Sequence, residues 1–216
     1  MKYLLYILLF SISLISEPNN TFNQIQKEYN EAVSQALYSL KIDKYLVLAD
    51  KGNSLAQYDL GVIYEEGHYP VNINLKKAVK YYQAAAKDNH IPALVKIAYF
   101  YQKGIILNKN TKKAIELYSK AAKANNAQAQ YKLASMYARE EGLIKDIDII
   151  LSLYTESANQ GYLSSIIALG LYYELGIDVK KDYGKALYWF SKVKDIPTIP
   201  QRILNICDKK SELCKQ

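Results

Sequence analysis

The chain has few of the residues that most catalytic and metal sites need. Its 216 residues include only 2 histidines and 2 cysteines. A Ser–His–Asp triad, or a zinc site built from several imidazoles and thiolates, therefore has too few parts. The 9 glycines form no phosphate-binding loop. We therefore predict no catalytic residues, no metal ion and no cofactor.

The chain also lacks a concentrated positive charge. Its 28 Lys and Arg against 21 Asp and Glu give a formal charge of +7, and the lysines are spread over the whole length. Nucleic-acid binding calls for a dense basic stripe or a known motif. We therefore do not expect nucleic acid as a partner.

Only one long apolar run occurs, at the start of the chain. Lys2 supplies a positive charge, and residues 3–15 form the run before Ser16. Thirteen helical residues span about 20 Å at 1.5 Å per residue, against about 30 Å for a bilayer core. We therefore interpret residues 1–16 as a signal peptide, cut after Ser13 or Ser16, of an exported protein that is periplasmic or secreted. A membrane contact would arise only through this segment, if it stays uncleaved.

Among the aromatic residues, tyrosine dominates, with 21 Tyr beside 4 Phe and 1 Trp. Several of them recur at a step of 36 residues, as in the set Tyr82, Tyr118, Tyr154 and Phe190. A period of this length indicates a solenoid, in which each unit buries its apolar face against its neighbours.

Each repeat predicts two helices. The same position of the first helix holds a Gly or Ala in all four repeats, which we call in-phase residues; they are Gly61, Ala98, Ala134 and Gly170. A small residue at this position indicates that another helix crosses there at close range. The second helix begins in phase at a residue that can accept a hydrogen bond from the first turn; these residues are Asn74, Asn110, Asp146 and Asp182.

These residues resemble the Sel1-like repeat, a relative of the tetratricopeptide repeat. The resemblance rests on the segments AQYDLGVIYEEG at 56–67, KAVKYYQAAA at 77–86, KAIELYSKAA at 113–122, ALGLYYELG at 168–176 and KALYWFSK at 185–192. It implies an all-α, right-handed α-solenoid of helix pairs, whose inner face binds a protein or peptide. It also implies a non-enzymatic scaffold or adaptor.

The repeat pattern divides the chain as follows. Two capping helices, one ending near Tyr38 and one beginning near Ile42, form a half-repeat in residues 21–52. Arg139 and the two glutamates after it predict a longer first helix in the third repeat. The four repeats occupy 53–90, 91–126, 127–161 and 162–196, and a C-terminal capping segment occupies 197–216.

The tail also resembles one branch of the family, the exported cysteine-rich Sel1-like proteins. In that branch two cysteines pair across the turn after a helix, whereas Cys207 and Cys214 are one residue closer together. On an unbroken helix they would lie about 10 Å apart, beyond the roughly 7 Å limit for a disulfide. A bridge therefore requires a turn near residues 209–211, and two free thiols are the alternative.

Binding residues are expected among the aromatic side chains that the repeat core does not use. Tyrosine and tryptophan offer a large contact area with few rotatable bonds. The candidates are Tyr58, Tyr99, Tyr131, Tyr172 and Trp189. The alternative is that they fill gaps between repeats.

A second hypothesis is binding or hydrolysis of β-lactams, which is described for some cysteine-rich relatives. The chain has one S-x-x-K sequence, from Ser191 to Lys194. The accompanying S-D-N and K-T-G elements of such enzymes are missing from the sequence. The binding scaffold is therefore the main hypothesis.

Overall fold

The computed structural model describes residues 22–67, 71–139 and 146–214. In these ranges the chain forms α-helices, one short 3₁₀ helix and no β-strand, as the sequence predicts. The predicted signal peptide lies outside the described residues. The helices are α1 Phe22–Asp50, α2 Ser54–Glu66, α3 Leu75–Lys87, α4 Ile91–Lys103, α5 Thr111–Lys123, α6 Ala127–Ala138, α7 Ile147–Asn159, α8 Leu163–Leu175, α9 Tyr183–Ser191 and α10 Ile199–Lys209, followed by the 3₁₀ helix Ser211–Cys214.

The chain divides into two compact units, Met1–Ala93 and Leu94–Gln216. In the first unit, α1, α2 and α3 pack in chain order around a core that includes Ile42, Ala49 and Leu60. In the second unit, α6, α7, α8 and α9 pack in chain order around a larger core, in which Leu169 and Phe190 are fully buried. Within the part of the chain that the structure describes, no helix has the length and apolarity to cross a membrane.

The start of each second helix is capped as predicted. The side-chain oxygens of Asn74, Asn110 and Asp182 each accept a hydrogen bond from a backbone N–H group three residues later. Asp146 accepts two such bonds, from Asp148 and Ile149. These caps satisfy N–H groups that have no partner inside a helix.

The two glycines inside first helices mark close crossings, as predicted. A Cβ atom on Gly61 would lie 2.4 Å from Cε1 of Tyr82, and one on Gly170 would lie 2.3 Å from Cε1 of Phe190. Both aromatic rings are fully buried, so neither has free space into which to retreat. The ring of the second helix therefore packs directly on the backbone of the first helix.

A third recurring contact joins the two helices of a repeat. A lysine in the first turn of the second helix places its Nζ about 5 Å from the centre of a tyrosine ring near the end of the first helix. The pairs are Lys77 with Tyr64 at 4.8 Å, Lys113 with Tyr101 at 5.0 Å and Lys185 with Tyr173 at 4.9 Å. These tyrosines are half-buried, and a cation over the face of an aromatic ring is attracted to it.

Two predicted helix boundaries are wrong. The expected pair of N-terminal helices is the single helix α1, because residues 39–41, Ser-Leu-Lys, contain neither Gly nor Pro to end a helix. The expected longer first helix of the third repeat is also absent, since α6 ends at Ala138 and is capped by Arg139.

Candidate binding face

The five aromatic residues proposed for binding occupy two kinds of environment. Tyr58, Tyr99 and Tyr131 are half-buried. Tyr172 and Trp189 are only 8% and 7% exposed and belong to the core of the second unit. For these two, the structure favours the alternative of gap filling.

The register of the repeats explains why Tyr172 is buried. The residues in phase with it in the other repeats are Ile63, Phe100 and Met136, which are all buried. Trp189 likewise stands in phase with Tyr81, Leu117 and Leu153, which are all large and apolar. A comparison of in-phase positions would have assigned Tyr172 and Trp189 to packing. The search for surplus aromatic residues did not make that comparison.

Tyr131 lies in an aromatic cluster of the second unit. Its ring centre is 5.8 Å from that of Tyr154 and 5.3 Å from that of Tyr162. The first unit contains the same arrangement, in which Tyr58 lies 5.6 Å from Tyr82 and 4.8 Å from His90. One side of Tyr58 and Tyr131 is therefore held by packing, while the half-buried ring keeps an exposed edge.

Lys132, which sequence reasoning did not single out, lies close to Tyr131, and two further cations lie near Lys132. Lys132 Nζ is 5.8 Å from the centre of the Tyr131 ring. Burial lowers the pKa of Lys132, and the positive charges of Lys103 and Arg139 lower it further. We call Lys103, Lys132 and Arg139 the cationic cluster.

The cationic cluster has no acidic partner among the described residues. Ion pairs of the second unit include Lys120 with Glu116, Lys185 with Asp182, and Arg202 with Glu174, and none of these involves the cluster. Glu156, another carboxylate of this unit, accepts hydrogen bonds from Gln130 and Ser152. The half-buried Lys132 therefore lies near two exposed positive charges that disfavour its own charge.

Two hydroxyl groups lie beside the cluster. The oxygens of Ser135 and Tyr154 are 3.2 Å apart and share a hydrogen bond. Burial is the main cause that raises the pKa of Tyr154 to about 12, and the nearby charge of Arg139 acts in the opposite direction. The site thus offers ammonium, guanidinium and hydroxyl donors, a set that suits an anionic group.

Lys103, Lys132, Ser135 and Arg139 belong to one face of the first helices of the second unit. The face, which we call the first-helix face, has three in-phase positions on each of α4, α6 and α8. All nine residues are half-buried or exposed: Lys96, Tyr99, Lys103, Lys132, Ser135, Arg139, Ala168, Leu171 and Leu175. The face is cationic on α4 and α6 and apolar on α8.

The remaining predicted sites have simpler surroundings. Cys207 and Cys214 form a disulfide with their Cα atoms 5.7 Å apart, across a break between α10 and the 3₁₀ helix at Lys210. Ser191 is exposed, and its hydroxyl donates a hydrogen bond to the carbonyl oxygen of Tyr188. Across residues 22–67, 71–139 and 146–214, no group of three His, Cys, Asp or Glu side chains is placed to hold a metal ion.

The sequence matches the family model described as the Sel1 repeat four times, at residues 54–90, 91–126, 127–162 and 163–192. No curated protein sequence matches significantly.

Solved structures that are similar to this chain include two with TM-scores above 0.6. One is a protective antigen present in uropathogenic Escherichia coli strains and displaying an SLR fold, with 27% identity and a TM-score of 0.67 over 73% of this chain and 33% of that one. The chain thus spans about a third of that relative. The other is a Sel1 repeat protein from Oxalobacter formigenes, with 26% identity and a TM-score of 0.62 over 70% of this chain and 68% of that one. The chain belongs to the Sel1 repeat family, and its fold class is the α-solenoid that the sequence predicted.

Proposed function

We propose that this protein is a non-enzymatic scaffold that binds a protein or peptide segment on its first-helix face. Sel1 repeats generally mediate protein–protein interactions, and we take the first-helix face as the counterpart of the inner face that the family resemblance implies. The observation that carries the proposal is the cationic cluster beside the exposed edge of Tyr131. It combines unpaired charge with a preorganised aromatic contact.

Replacing Tyr131 by Ile tests the proposal with little disturbance of packing. Ile167 is the in-phase residue of the fourth repeat and packs against the core of the second unit, so the fold accepts Ile at this position. Peptides selected from a random dodecapeptide library on the wild-type protein provide the probe. We expect Tyr131→Ile to weaken peptide binding by about tenfold or more, as for a central aromatic contact, while the melting temperature changes little.

The matched control removes a tyrosine from a different surface. Tyr188 is 55% exposed on the second helix α9, and Ser152 is its in-phase residue in the third repeat. Tyr188→Ser should leave peptide binding unchanged. Equal loss in both variants, or no loss in Tyr131→Ile, would place binding elsewhere.

We also propose that the protein is exported to the periplasm or secreted. The apolar run at residues 3–15 and the disulfide between Cys207 and Cys214 support export, because disulfides persist in oxidising compartments. N-terminal sequencing of the mature protein should give a start at Leu14 or Glu17. A cytosolic protein that still begins at Met1 would contradict export, and a membrane-bound protein with that start would indicate an uncleaved anchor.

A further inference from the structure

We infer that the partner segment is acidic and places a carboxylate among Lys103, Lys132 and Arg139. This inference rests on the proposed function, because it names the chemistry of the partner on the same face. A free carboxylate accepts hydrogen bonds and donates none, so it complements a site that presents ammonium, guanidinium and hydroxyl donors.

The fold itself does not require positive charge at these positions. The residues in phase with Lys132 are Asp59, Lys96 and Ala168, and those in phase with Arg139 are Glu66, Lys103 and Leu175. The same backbone position therefore accepts an acid, a base or an apolar residue. Packing alone gives no reason for three cations to be close together.

The arrangement is instead unfavourable for the protein without a partner. Burial, Lys103 and Arg139 all lower the pKa of Lys132, which means that the surroundings disfavour its charged form. No described carboxylate relieves this repulsion with an ion pair. A bound carboxylate would relieve it, because an opposite charge at close range favours the charged form of the lysine.

The dimensions of the face limit the partner further. Lys132 on α6 and Arg139, which caps α6, are seven residues apart, or about 10 Å along the helix axis. An extended peptide rises about 3.3 Å per residue, so two carboxylates about three residues apart would reach both cations. Leu171 and Leu175 on the neighbouring part of the face provide contact for an apolar residue next to the acidic ones.

The apolar part of the face also favours an acidic peptide over nucleic acid as the partner. A phosphate backbone needs a continuous basic track for several phosphates, whereas α8 continues the face with Ala168, Leu171 and Leu175. A peptide can match a change from charge to apolar surface within a few residues.

The test uses the same dodecapeptide selection, followed by substitutions in the selected peptide and then in the protein. Selected peptides should be enriched in Asp and Glu, and a synthetic copy with Gln and Asn in their place should bind about tenfold more weakly. On the protein, Lys132→Met keeps the apolar stem and removes the charge. It should weaken binding of the acidic peptide about tenfold and leave binding of the neutral copy nearly unchanged.

The melting temperature distinguishes a binding role of Lys132 from a structural one. If Lys132 only supported the fold, replacing it would lower the melting temperature. Because Lys132→Met removes a like-charge repulsion, the melting temperature of the free protein should rise or stay the same while peptide binding is lost. Lys123→Met is the matched control, since Lys123 is exposed on α5 with no ion pair among the described residues. It should change neither property.

Several results would overturn the inference. If selected peptides are not acidic and Lys132→Met binds them normally while Tyr131→Ile does not, the acidic partner is wrong and the scaffold function stands. If no peptide is selected, both proposals fail. If a labelled single-stranded DNA oligonucleotide binds as tightly as the peptides and Lys132→Met abolishes that binding, the partner is nucleic acid.

Discussion

At the scale of single residues, the repeat depends on contacts between one ring and one backbone position. Phe190 of the second helix lies against Gly170 of the first, and Tyr82 lies against Gly61. A glycine in a helix interior costs about 1 kcal/mol relative to alanine. The chain keeps these two glycines because a larger residue would overlap a buried ring.

Replacing Gly170 by Ala should therefore destabilise the protein, although alanine is the better helix former. The new Cβ would be 2.3 Å from a ring atom of Phe190, and overpacking of this kind costs about 1–3 kcal/mol. The control is Gly184→Ala in α9, where the nearest atom would be 3.4 Å away. Urea unfolding should show a lower free energy of unfolding for Gly170→Ala and an equal or higher one for Gly184→Ala, and the reverse order would refute the close crossing.

The buried tyrosines make the fold sensitive to alkali. Burial raises the pKa of Tyr154 from 10.0 to about 12, and it also raises the pKa values of Tyr82 and Tyr118. Above pH 10 the unfolded chain loses these phenol protons while the folded protein retains them. The free energy of unfolding therefore falls as the pH rises above 10, by up to about 1.4 kcal/mol per pH unit for each such tyrosine.

Tyr154→Phe tests this pH dependence at a position where the fold already accepts Phe. Phe190 is the in-phase residue of the fourth repeat. The variant loses the hydrogen bond to Ser135, which lowers stability at neutral pH by about 1 kcal/mol. Between pH 10 and about pH 12, however, its stability should fall less steeply than that of the wild-type protein. Identical slopes in denaturant unfolding followed by circular dichroism would show that Tyr154 titrates normally.

At the scale of helices and turns, the sequence indicates where a helix ends when one residue with a left-handed backbone terminates it. Left-handed backbone occurs at the ends of first helices and of second helices, at residue types that tolerate this conformation; these residues are Gly52, Gly67, Asn89, Gly104, Asn125, Gly161 and Gly176. The sequence did not reveal that Ile106 and its in-phase residue Asp178 are also left-handed, with φ of 62° and 54°. A β-branched residue rarely adopts this conformation, so local preference predicts the opposite for Ile106.

The disulfide should hold the C-terminal 3₁₀ helix in place. No residue of Ser211–Cys214 is buried, so packing contributes little to its position. We expect a reducing agent, or Cys214→Ser, to accelerate tryptic cleavage after Lys210 without a large change in melting temperature. Mass spectrometry of the digest measures the rate, and equal rates with and without the bridge would show that other contacts hold the segment.

At the scale of the whole molecule, the sequence predicts the fold far better than the site. Caps, glycines and core tyrosines recur at 36 residues, so their roles can be assigned by comparing repeats. The cationic cluster is different, because the positions of Lys132 and Arg139 carry Lys96 and Lys103 in the second repeat but Ala168 and Leu175 in the fourth. A binding surface consists of such departures from the repeat, and only the structure shows which of them lie together.

Site-specific cross-linking tests the binding face most directly. Leu175 on the first-helix face and Tyr188 on the second helix α9 are 52% and 55% exposed, so a photoreactive benzoylphenylalanine at either position is equally accessible. With the selected acidic peptide bound, we predict cross-linking from position 175 and none from position 188. Cross-linking from position 188 that equals or exceeds that from position 175 would contradict binding on the first-helix face.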